Sequence, residues 1–226
     1  MREGRKNENI RACCPIGEDM MRKPRLSRHT FVAATLGLVF SVSGAWAQQP
    51  QHIRGEIEKV DGAMLSVKTN DGALLNVKVA DDARVAALDK ASLADIKNDS
   101  FIGVAGMRQA DGSIVAFSVH IFLPAQRGKV PDRHGPWDAR PGSTMTNAYV
   151  GSMVKSKVGE TVTVKYKDGE KKIVITQQTV IAAVAKGNKS ELKVGTHVII
   201  FAWKKQPDSS VLAKVLYYGR NVVPAM

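Results

Sequence analysis

Histidine and carboxylate side chains near one another can hold a divalent cation, and Asp132, His134 and Asp138 bring them together in one polar segment. Imidazole nitrogen and carboxylate oxygen suit several divalent metals. The spacing matches no recognised ligand motif, such as paired histidines on one helical face. A metal site here would therefore rest on residue type alone. Ser143 with His134 and Asp138 supplies the three residue types of a hydrolytic triad, but no nucleophile-elbow glycines surround the serine. The acid pair Asp81-Asp82 falls where turns are expected, and no glycine-rich phosphate loop or dinucleotide fingerprint is present. The chain does not read as an enzyme. His120 ends an apolar strand on the face opposite Phe117, Val119 and Ile121, and is expected at the surface or rim.

Lysines make the second constellation. Lys155 and Lys157 share one strand face, Lys165 and Lys167 share another, and Lys171-Lys172 follow across a turn. Lysines projecting from neighbouring strands form a positive stripe that concentrates polyanions. The formal net charge is +12, and it is unevenly spread. Residues 48–121 carry eight basic against ten acidic residues, 122–146 four against two, and 147–226 thirteen against five. The basic character after residue 47 sits in the last third of the chain. Single-strand nucleic-acid readers interleave aromatics for base stacking. Tyr166 is expected to point inward, and Trp203, Tyr217 and Tyr218 lie on other strands. Nucleic acid therefore ranks below an anionic envelope polymer or a protein partner.

The elements that must position these residues occur twice. Asp95-Ile96-Lys97 through Val104 is matched by Glu191-Leu192-Lys193 through Ile200, and Asp111-Gly112-Ser113 by Asp208-Ser209-Ser210. Upstream, Val67 to Gly72 matches Val164 to Gly169, always at an offset of 96 or 97 residues. A nearly fixed offset argues for duplication of a whole small domain. Within each copy, period-two alternation flanks an Asp-Gly turn, as in Leu65, Val67, Leu75, Val77 and Val79, which is a strong hairpin signal. Arg84 to Leu88 is expected as a further short strand. Ser92 with Asp95, and Asn188 with Glu191, have the spacing of N-caps on single helical turns. The expected fold class is all-β: two tandem small OB-like or SH3-like barrels of five to six strands, each with a one-turn helix. Closure would remove sticky edge strands. The expected boundaries are 48–122 and 147–226, joined by a Pro/Gly-rich connector at 123–146. Val67, Val77, Val104, Val119, Val164, Val198 and Leu216 are the predicted core.

Residues 1–47 read as targeting sequence. Arg22, Lys23, Arg25 and Arg28 make a positive start, Phe31 to Val42 an apolar run, and Ala45-Trp46-Ala47 a cleavage-like site. The run is shorter than the roughly 20 residues a spanning helix needs, so cleavage after Ala47 and a chain without a membrane span are expected. Met20-Met21 marks a second possible start, which would leave residues 1–20 untranslated. Cys13 and Cys14, the two cysteines, precede this signal. The exported chain would have no disulfide and no zinc-thiolate site, so its core must hold it together.

The repeat pattern, the Val119-His120-Ile121-Phe122 strand end, and Pro136-Trp137-Asp138 followed by Gly142-Ser143-Thr144-Met145-Thr146-Asn147-Ala148 resemble an uncharacterised family of secreted bacterial proteins. That family is built from OB-like domains of unknown function. The resemblance covers most of the chain after residue 47. It implies an exported β-barrel protein and no known chemistry. The leading expectation is a non-enzymatic binding or scaffolding module of the cell envelope without a cofactor. The alternative is a periplasmic protein binding a divalent metal through His134, Asp132 and Asp138.

Overall fold

A computed structural model describes residues 51–156 and 159–225. The expected signal segment and its cleavage site lie outside the described residues. The fold is all-β. Five strands come from the first copy: β1 (Ile53–Asp61), β2 (Met64–Thr69), β3 (Leu74–Lys90), β4 (Phe101–Arg108) and β5 (Ile114–Ile121). The connector contributes β6 (Arg133–Pro136). The second copy contributes β7 (Ser143–Ser156), β8 (Gly159–Tyr166), β9 (Gly169–Lys186), β10 (His197–Lys205) and β11 (Val211–Arg220). Single 3-10 turns occur at Leu93–Asp95, Pro124–Gln126 and Lys189–Glu191. No helix among the described residues is long and apolar enough to cross a membrane.

The hairpins form where the sequence alternation turns at Asp. Asp111 accepts the Ser113 amide at 2.9 Å, and Gly112 supplies the positive φ (82°) that closes the turn. Asp208 accepts Ser210 in the same way, with Ser209 taking the left-handed position at φ 65°. Around the 3-10 turns, Ser92 donates both its amide and its hydroxyl to the Asp95 carboxylate, at 2.8 and 2.7 Å. Asn188 accepts the Ser190 amide at 3.0 Å. Asn188 caps its turn through its side chain, whereas at Ser92 the Asp95 carboxylate supplies the contact and the serine side chain accepts no backbone amide.

Strand pairing then departs from the sequence boundaries. β1 pairs β2, β2 pairs β3, β3 pairs β11 in parallel, β11 pairs β10, and β10 returns to β1. This first ring is a closed five-stranded barrel made of three strands from the first copy and two from the second. Likewise β7, β8, β9, β5 and β4 close a second ring, with β9 and β5 parallel. Each copy gives its last hairpin to the other ring. The boundaries 48–122 and 147–226 delimit the repeats in sequence, whereas the pairing crosses both of them.

The crossing is carried by two long strands. β3 and β9 pair antiparallel over Ala86–Lys90 and Ala182–Lys186, where the rings meet. The short strand expected from Arg84 is the second half of β3. Asp81-Asp82, expected in a turn, lies inside that strand as an exposed irregularity, since the β11 register jumps from Val79 to Arg84. Lys189 donates to the Ala80 and Asp81 carbonyls there, at 2.7 and 2.8 Å.

Burial follows the rings. Ile57, Leu65, Val67, Val77, Val79, Val198, Ile200, Ala213 and Leu216 form one core, capped by Leu192 beside the Lys189–Glu191 turn. Ile102, Val104, Val119, Val150, Val162, Val164, Ile173 and Ile175 form the other, capped by Ile96 and Leu93. The 3-10 turn travels with the exchanged hairpin and plugs the partner ring. All seven predicted core residues are at most 2% exposed. Two smaller clusters, including Phe117, Met145, Ile199, Leu88 and Ala182, draw on strands of both rings. At about 25 cal/mol per Å² of apolar surface, this junction adds to stability beside the two interiors.

Candidate functional site

The expected lysine stripe is divided by the register of β8 and β9. Lys165 lies opposite Glu170, and Lys172 opposite Thr163, on the outer face of the second ring. Lys171 lies opposite Val164, on the face that points into the ring. Tyr166 pairs with Gly169, so Lys167 sits in a two-residue turn with Asp168. The Lys155 side chain and Lys157 lie outside the described residues. Residues that were read as one surface therefore occupy an outer face, a turn and a ring mouth. Glu170 also sets a carboxylate against Lys165, which lowers the positive field there.

The mouth of the second ring is where cations gather. Lys171 stands beside Val164 on the inward face, and Tyr166 packs partly against the interior. The His134 ring lies 6.0 Å from Tyr166, and its Nδ1 is 2.8 Å from Thr146 Oγ1. His134 is held there because β6 pairs with β7, setting it opposite Thr146. Its pKa is lowered by burial first, then by the positive fields of Lys171 and Arg108. Arg108 ends β4, and Lys172 reaches Asp111 in the adjoining turn electrostatically. Two permanent cations, Lys171 and Arg108, thus stand near enough to His134 for their fields to act on its ring, with the Asp111 carboxylate in the adjoining turn.

The connector is docked at both ends. Asp138 accepts the His52 amide at 2.5 Å and the Arg54 guanidinium at 2.6 Å, and lies 2.8 Å from His52 Nδ1. Trp137 stacks on His52 at 4.4 Å and lies under Arg54 at 5.6 Å. Burial alone would raise the Asp138 pKa, but the Arg54 and His52 hydrogen bonds and charges hold it below the usual carboxylate range. Burial lowers the His52 pKa against the pull of the Asp138 carboxylate, which faces its Nδ1. At the connector's other end Arg127 pairs with Asp99 at 2.9 Å.

His134, Asp132 and Asp138 are not brought together as a ligand set. No group of three His, Cys, Asp or Glu side chains among the described residues is arranged to hold a metal. Asp138 is engaged by the first ring, whereas His134 faces the mouth of the second. Asp132 has one buried carboxylate oxygen without a hydrogen-bond partner. Ser143 stands apart from any nucleophilic arrangement, because its hydroxyl donates to the Arg140 carbonyl at 2.7 Å and closes a turn.

His120 reverses its expectation. It is 1% exposed, and neither ring nitrogen has a hydrogen-bond partner. Its partners across the sheet are Gly103 and Ala182, the latter in a junction cluster. The face judged open to solvent is covered at the junction between the rings. Burial pushes the His120 pKa down to about 3.

Sequence reading missed Arg108, Tyr166, His52 and Arg54 as members of these sites. Arg108 follows an apolar strand just before a turn signal, a position at a barrel rim, which was the available clue. The Asp138 pairing spans 86 and 84 residues, and no local pattern announces a contact at that separation. No family model, no curated protein and no solved structure matches the chain.

Proposed function

We propose that the protein is an exported, non-enzymatic binding module of the bacterial cell envelope, and that the mouth of its second barrel engages an anionic polymer. In this reading the rings are a duplicated pair of OB-like barrels with exchanged hairpins. The ring order, with a single parallel closure between third and last strands, supports it, and so does the sequence repeat. Export rests on the basic, apolar and small-residue order of residues 22–47. The resemblance to secreted bacterial proteins of OB-like domains agrees with both.

The observation that carries the anionic ligand is the placement of Lys171. The register turns it onto the face of Val164 and Tyr166, where His134 and the field of Arg108 converge. A chain of phosphate or carboxylate groups would be attracted by the positive fields of Lys171 and Arg108 that meet at His134. An acidic protein surface is the competing ligand of the same chemistry.

Calorimetric titration with heparin as a polyanion probe tests the proposal. Binding should be saturable and should weaken steeply with salt, because exposed charges are screened beyond about 8 Å at physiological ionic strength. The double variant Lys171→Glu, Arg108→Glu should lose at least about tenfold in affinity, or roughly 1.4 kcal/mol, with an unchanged circular dichroism spectrum. Unchanged affinity in the folded double variant would overturn it.

A further inference from the structure

The mouth of the first ring holds a different kind of opening, a cleft of about 710 Å³. That volume lies within the range that takes a small ligand or several units of a chain molecule. Its walls come from the start of β1, the tip of the β2–β3 hairpin and the tip of the β10–β11 hairpin, with Asp138 and Ala139 of the connector on one side. The parallel pairing of β3 and β11, with Val77 opposite Val211, sets the two hairpin tips side by side.

The lining is neither a basic patch nor an apolar slot. Trp203 is fixed by a hydrogen bond from its Nε1 to the Gln51 carbonyl at 3.0 Å, so the indole is pre-oriented against the wall. Leu75 lies with Trp203 on the inward side of the mouth, and Leu74, 60% exposed, lines the rim from the outer face of β3. Apolar groups held open within a polar rim mark interaction sites more often than scattered ones do. Asn70 and Asn76 supply amides that can both donate and accept. The charged lining is two cations, Arg54 and Lys205, against three carboxylates, Asp71, Asp138 and Asp208. Asp138 is held by Arg54, and Asp71 and Asp208 are engaged by Thr69 and Ser210. Such a cleft gives an anion no net attraction.

A fixed indole, an open aliphatic surface and amides at the rim match the two aspects of a pyranose ring, whose C–H face is apolar and whose edge carries hydroxyls. We infer that the cleft at the mouth of the first ring binds a neutral, hydroxyl-rich oligosaccharide. One ring packs on Trp203 with its hydroxyls bonded to Asn70 and Lys205, and a neighbouring unit of the chain reaches Leu74 and Asn76 on the outer rim. None of these five side chains belongs to the cation cluster of the second ring, so the two ligand sites stand or fall separately.

Titration of the purified protein with chitohexaose and with cellohexaose tests the inference, heparin affinity being measured in parallel. At least one of the two sugars should bind saturably, with little dependence on salt. Trp203→Ala should weaken that binding at least tenfold while leaving heparin affinity unchanged, and Trp203→Phe should retain most of it. Because Trp203 also packs against the interior, the exposed pair Asn70→Ala, Asn76→Ala provides a second variant, expected to lose several-fold without a change in melting temperature. Absence of saturable binding to both sugars would overturn the inference. So would full binding by folded Trp203→Ala, whatever heparin does.

Discussion

The two ring mouths are built alike and dressed differently. In each, a hairpin tip from one copy lies beside a hairpin tip from the other. Leu75 in the first ring pairs with Val67, as Lys171 in the second pairs with Val164. Thr69 precedes the first tip and Tyr166 the second. The β2–β3 tip is wider, with the Thr69 amide bonding to the Ala73 carbonyl, whereas Tyr166 and Gly169 close the β8–β9 tip over two residues. The barrel interiors are aliphatic in both rings, so the framework is the same in each. The rings differ at their mouths, where a cleft lined by Trp203 and Asn70 stands against Lys171, Arg108 and His134. In the proposed reading binding is set by rim residues, because strand register fixes where each rim side chain points.

If the rings are equivalent frameworks, equivalent interior positions should respond alike. Val77 lies opposite Leu65, and Ile173 opposite Val162, all nearly solvent-free. Val77→Asp and Ile173→Asp should each cost about 3–5 kcal/mol by burying an unpaired charge, read as loss of the urea transition. A large effect at one and none at the other would break the equivalence.

The outer faces that meet at the junction offer a sharper contrast. Gly103 lies opposite His120, and Ile199 opposite Tyr217. The Tyr217 hydroxyl accepts from Gln126 at 2.8 Å, while His120 has no partner. The folded-state pKa of His120 is about 3, below the unfolded value of about 6.5. The folded form therefore binds fewer protons, and stability is complete above pH 6.5 and falls as pH drops toward 3. The loss should be about 1.4 kcal/mol per pH unit across that window. Denaturation at pH 7 and pH 5 should show it, and His120→Leu should remove most of the difference.

The two docks of the connector come next in size. Asp138 is three-quarters covered, whereas Asp99 is 75% exposed. Asp138→Ala should cost about 1–2 kcal/mol and speed proteolysis between Pro124 and Thr146. Asp99→Ala should leave stability within about 0.5 kcal/mol, since exposed pairs contribute little. Equal effects would mean that the connector has no preferred anchor.

Much of the framework was legible because period-two alternation reports one buried face, which gives the seven core residues, while the Asp turns and the Asn188 cap follow from local side-chain spacing. The hairpin exchange left no trace in the sequence. Phe101–Ile121 and His197–Tyr217 present the same alternation, so either can close either ring, and local pattern cannot tell pairing within a copy from pairing across copies. His120 was misplaced for a related reason. Alternation implies one dry face and one wet face, whereas the second face of β5 is dried by the junction. The lysine stripe failed at the turn, because faces counted across a hairpin depend on loop length. With two residues in the loop, Lys171 faces inward and Lys172 outward.

Reciprocal exchange of one rim residue tests the contrast between the mouths most directly. Lys171→Leu should remove at least 90% of heparin affinity, and Leu75→Lys should add a second, weaker and salt-sensitive binding event, both measured by calorimetry at low and physiological salt. Heparin titrations of the two folded variants that match the parent protein would contradict the assignment of anion binding to the mouth of the second barrel.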